Sequence, residues 1–121
     1  MPWFAALVIM HYEMTDGPQD RYSGYENIFL VEADTPARAL ERGAVLGRED
    51  ETDCRGTLTV DGRPARLVFD GVRKVVEVQH VPHGRRPAAG DEITYSEFEV
   101  ADADQLRRFA SGEAVPLQWI E

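Results

Sequence analysis

With 121 residues, 43% hydrophobic and 29% charged, the chain has the size and composition of one globular domain spanning 1–121, and wholesale disorder is excluded. A formal net charge of −9 works against phosphate backbones and anionic lipid, which reward clustered Lys and Arg, so neither nucleic acid nor membrane is an expected partner. Cys54 is the only cysteine, which excludes an intrachain disulfide and a multi-cysteine metal site and suits a reducing cytoplasm.

The opening run Trp3 to Met10 is apolar at both alternating sets of positions, as in a central strand covered on each face. It is too short to span a bilayer and lacks a basic stretch before it, so it reads as a strand and not as a signal or anchor. Thr15 to Glu26, with Gly17, Pro18 and Gly24, reads as a loop that Tyr22 and Tyr25 make unusually aromatic. A second strand follows at Asn27 to Ala33. Thr35 then stands where an N-cap belongs and Pro36 at the first helical position, which predicts a helix from Pro36 to about Leu46 with Gly47 as its stop. Ala39, Leu40, Ala44 and Leu46 form its narrow apolar stripe, and Arg48 to Asp53 reads as a charged loop.

Gly56 to Val60 is a weak third strand, and Asp61-Gly62 is a two-residue hairpin signal leading into Pro64 to Phe69. Inward positions then change parity, from Leu67 and Phe69 to Val72, Val76 and Val78. Either a one-residue bulge at Gly71 or a second hairpin at Asp70-Gly71 accounts for this. His80 to Asp91 reads as a loop and Glu92 to Val100 as a fifth strand. Asp102 with Gln105 resembles a capping box opening a second helix that Gly112 ends, and the apolar tail Val115 to Ile120 is expected to dock as a short edge segment. The order β-β-α-β-β-β-α predicts an α+β fold, a mainly antiparallel sheet of about five strands carrying two short helices.

No residue pattern announces a reaction. Glu77 and His80 lie three apart on a strand and point to opposite faces, so with His83 they make no converging ligand set, and no metal is expected. Cys54 lacks an activating histidine, Ser23, Ser96 and Ser111 lack a nucleophile elbow, and no glycine-rich phosphate loop implies a cofactor. Two sets of residues remain. The acidic run Glu49, Asp50, Glu51 and Asp53, with Tyr22 and Tyr25, is a candidate surface for a protein partner, since a negative patch speeds encounter with a basic surface and tyrosine gives contact area at low entropic cost. His11, Tyr12 and Glu13 at the end of the first strand, with Asp16, Asp20 and Arg21, are the alternative: a pocket for a small ligand or an enzymatic substrate.

Trp3-Phe4-Ala5-Ala6-Leu7, Glu26 to Ala33 running into Pro36-Ala37-Arg38-Ala39-Leu40, and Asp91-Glu92-Ile93-Thr94-Tyr95-Ser96 together resemble a family of short bacterial proteins classed as a domain of unknown function. The resemblance carries no catalytic residue. It implies, through relatives suspected of immunity-type roles, a protein that neutralises a partner by binding it. The expectation is therefore a protein-binding module, not an enzyme, with self-association into a homodimer through the first strand or the Trp119-Ile120 tail as a further option.

Overall fold

Trp3–Met14 forms β1 of the computed structural model, which describes residues 1–53, 57–79 and 85–120, the side chains of 52 and 53 excepted. It is followed by β2 (Gly24–Glu32), α1 (Pro36–Asp53), β3 (Thr59–Val60), β4 (Arg63–Glu77), β5 (Glu97–Glu99), α2 (Ala103–Ala110) and β6 (Gln118–Ile120). Two helices and mainly antiparallel strands make the fold α+β, as the patterning predicts. The main sheet has the order β2-β1-β4-β3, and β5 pairs with β6 in a separate two-stranded sheet. Hence the described residues form six strands, not five, and the apolar tail docks on β5 and not on the main sheet.

β1 is central, and its two apolar faces have separate uses. Phe4, Ala6, Val8 and Met10 face α1 and the cluster of Val31, Ala33, Ala39 and Leu67, while Ala5 and Leu7 on the other face are fully buried. Near that second face, Lys74 and Val76 of β4 line a recess together with Tyr95, Glu97 and Ile120, so the C-terminal segment lies beside the sheet. The second helix belongs to this segment: Phe109 packs edge-on against Phe98 at 4.9 Å, and α2 buries no residue of its own. It therefore does not pack on the main sheet. Its ends follow local rules. The Gln105 N–H donates to Asp102 Oδ1 at 2.8 Å, and Gly112, at φ +96°, closes a Schellman turn in which the Glu113 N–H donates to the Arg108 carbonyl.

α1 begins as predicted, the Arg38 N–H donating to Thr35 Oγ1 at 3.2 Å, but it does not stop at Gly47. Gly47 and Gly43 are buried in mid-helix, one turn apart, where the helix comes closest to the sheet. A Cβ on Gly47 would collide with the Phe69 ring and lie 2.9 Å from Val8 Cγ1, and one on Gly43 would lie 2.9 Å from Ala6 Cβ. The inward stripe is thus Ala39, Gly43, Leu46 and Gly47, whereas Leu40 faces solvent.

The residues read as a charged loop are the last turns of this helix. Carboxylates near a helix C-terminus oppose its dipole, so tertiary contacts must hold them there. The Phe69 N–H donates to Glu51 Oε2 at 2.7 Å, the Asn27 amide donates to Asp50 Oδ2 at 3.2 Å, and the Arg48 guanidinium lies 5.4 Å from the Phe69 ring centre.

The Asp61-Gly62 turn closes the β3–β4 hairpin with positive φ at both residues, 51° and 76°. β4 then runs unbroken past Asp70-Gly71, so no hairpin turn forms there. Its register on β1 shifts twice: Met10 faces Phe69 but Ile9 faces Gly71, and Val8 faces Val72 but Leu7 faces Lys74. Asp70 and Arg73 are the two surplus residues, one beside the glycine expected to bulge and one unforeseen. Downstream, the predicted strand Glu92 to Val100 shortens to Glu97–Glu99, because only those residues have a partner strand.

Candidate functional site

The bulge at Asp70 carries a carboxylate to the end of β1. There His11 Nδ1 lies 2.7 Å from Asp70 Oδ2 across 59 residues of sequence. Tyr22 stands edge-on to the imidazole at 5.5 Å between ring centres. Tyr25 leans on Tyr12 at 5.9 Å and packs on the cluster of Val8, Met10 and Leu67. With Ile9, Met10 and Gly24 these groups line a concavity of about 500 Å³. Gly24 lets the wall form, since a Cβ there would run into the Met10 carbonyl and come within 3.1 Å of His11 Cα.

The loop that brings Tyr22 over His11 is held by side chains. The Met14 N–H donates to Gln19 Oε1 at 2.8 Å, and Gln19 Nε2 donates to the Tyr12 and Arg21 carbonyls at 3.1 and 3.0 Å. Arg63 Nε and Nη2 both donate to Asp16 Oδ1, at 2.9 and 2.7 Å, and Nη2 also donates to the Pro18 carbonyl. The Arg63 hydrogen bond holds the Asp16 carboxyl below its ordinary value of 3.8. A carboxyl lowered on folding stabilises the fold above its unfolded pKa and loses that contribution as pH falls through its folded pKa. The loop is therefore expected to loosen below about pH 4, read as lost exchange protection of the Met14 and Thr15 amides, and Arg63→Met should abolish that pH dependence.

In the neutral imidazole, the Nδ1–H donates to Asp70 and Nε2 becomes the acceptor, a fixed tautomer. This arrangement can accept a hydrogen bond from a ligand, or take a proton from one, beside the Tyr22 ring. Of the pocket residues foreseen at the strand end, His11 lines the cavity, Tyr12 supports Tyr25 from the core side, and Asp16 anchors the loop. Glu13 is turned to Arg66 at 2.8 Å. Asp70 was missed, although the parity break at Asp70-Gly71 marked the place where an extra side chain leaves the pleat.

The partner-surface residues separate. Tyr22 and Tyr25 both border the cavity, while Asp50 and Glu51 turn inward to accept from Asn27 and the Phe69 N–H and Glu49 stays exposed. The Asp53 side chain, Cys54, His80 and His83 lie outside the described residues. Among the described residues no group of three His, Cys, Asp or Glu side chains converges as a metal site, and no helix is long and apolar enough to cross a membrane.

Compared with known families, residues 3–96 match the model described as Domain of unknown function (DUF4288). The chain belongs to this family. The match covers the whole main sheet, α1 and every residue of the cavity, and ends just before β5. No curated protein and no solved structure matches the chain.

Proposed function

We propose that the chain binds a small ligand in the concavity at the end of β1, with the His11–Asp70 pair as its polar anchor. The 2.7 Å bond from His11 Nδ1 to Asp70 carries this reading, because it leaves Nε2 as an oriented acceptor in a mostly apolar recess. The ligand this chemistry favours is planar and neutral or cationic, stacks on Tyr22, and donates one N–H or O–H to Nε2. An anion would face both Asp70 and a chain of net charge −9. Titration with indole and with imidazole, followed by backbone and imidazole NMR signals, tests the reading. Saturable shifts confined to Ile9, His11, Tyr22 and Tyr25, lost in His11→Ala and Tyr22→Ala, are expected; the absence of any saturable shift at these residues would overturn it.

A second reading, recognition of a protein partner, is favoured by Tyr22, which leaves 73% of its surface in solvent beside the recess. The immunity-type role implied by the sequence resemblance belongs to this reading. Loss of partner capture in Tyr22→Ala but not in His11→Ala would separate it from the first.

A further inference from the structure

The two outer edges of the main sheet are built differently. β3 pairs with β4 at Pro64 and Arg63, the Ala65 N–H donating to the Leu58 carbonyl beside it, and beyond these β4 is bent by the bulges at Asp70 and Arg73, a common protection against strand addition. β2, at the opposite edge, pairs with β1 in unbroken register from Gly24 to Glu32. The Tyr12 N–H donates to the Ser23 carbonyl and the Ala33 N–H to the Pro2 carbonyl. Strict antiparallel alternation between these bonds turns the backbone groups of Tyr25, Asn27, Phe29 and Val31 toward β1, and those of Glu26, Ile28, Leu30 and Glu32 outward.

The side chains on this outward row are apolar in the middle, Ile28 being 46% and Leu30 41% exposed. Beside them, Trp3, Leu30, Val31, Arg42, Val45 and Leu46 line a groove of about 360 Å³ between the strand and α1. A bare backbone row next to a side-chain groove is what strand addition uses: main-chain bonds supply affinity and the groove supplies specificity.

We propose that the outer edge of β2 accepts an extended segment of another protein as a fifth strand of the main sheet, the segment being apolar in its middle and basic at its ends. Charge favours this occupant over a second copy. Glu32 borders the groove, while Glu26 is already paired with Arg73 at 2.6 Å, and a second copy would bring together two chains of net charge −9 where a basic-ended segment is attracted. This edge is separate from the cavity, so the proposal does not depend on the ligand reading.

A capped heptapeptide of alternating valine and threonine with arginine at both ends is the probe. It should bind saturably, protect the Ile28 and Leu30 amides from exchange, and bind more weakly as salt rises. Leu30→Pro removes an outward N–H while sparing the β1 ladder and should weaken binding at least about tenfold with the fold intact by circular dichroism. Ile28→Lys, which keeps the backbone, should also weaken it, and His11→Ala should leave it unchanged. The proposal fails if the two amides gain no protection, if a glutamate-ended peptide binds equally well, or if sedimentation shows a dimer that Leu30→Pro dissolves.

Discussion

Gly47→Ala is expected to destabilise the protein, an inversion of what helix propensity alone predicts. In an exposed helix that change gains about 0.5–1 kcal/mol. Here the added methyl meets the Phe69 ring and lies 2.9 Å from Val8 Cγ1, and overpacking of this kind costs about 1–3 kcal/mol. The ring has little room to retreat, since the Arg48 guanidinium lies 5.4 Å from its centre, and Val8 sits fully buried on the central strand. A net loss of about 1–2 kcal/mol in urea unfolding should result, and Gly47→Leu should cost more. A Gly47→Ala protein as stable as the native one would show that α1 does not approach the sheet as closely as described.

Asp70→Ala is expected to change the site far more than the fold. The pair is partly solvated, so losing its hydrogen bond should cost only about 0.5–1.5 kcal/mol of stability. The imidazole, however, loses the partner that holds the proton on Nδ1. With the imidazole neutral, long-range proton–nitrogen NMR should find the Nδ1–H tautomer in the native protein and mainly the Nε2–H tautomer in the variant. Nε2 is then a donor, and affinity for a donating probe such as indole should fall about tenfold, which corresponds to about 1.4 kcal/mol. An unchanged tautomer ratio would mean that Asp70 does not orient His11.

Features settled within a few residues were legible in the sequence. Thr35-Pro36, Asp61-Gly62, Asp102 and Gly112 each act on backbone within three residues of themselves, and each appears where it was expected. Gly47 was misread because its role depends on Phe69 and Val8, which no local pattern brings near it, although Gly43 one turn earlier hinted at a close-packed face. The acidic run was read as a loop for a related reason: Glu51 and Asp50 are tolerated at a helix end only because Phe69 and Asn27 donate to them. Glu92 to Val100 alternates well yet pairs over three residues, since a strand also needs a partner. In the cavity, the strand end and aromatic loop pointed to His11, Tyr22 and Tyr25. Asp70 could not be paired with His11 before the β1–β4 register was known.

The surplus of two residues in β4 has a comparative consequence. Asp70 and Arg73 have no opposite number on β1, and these two side chains reach His11 and Glu26. Neither breaks the core, because Leu67, Phe69, Val72 and Val75 all face the helix side. Strand length thus becomes a marker among relatives of this family. One that is a residue shorter between its Phe69 and Gly71 equivalents would keep the sheet and lose the carboxylate, so counting residues there sorts members that carry the histidine–aspartate recess from those that retain only its scaffold.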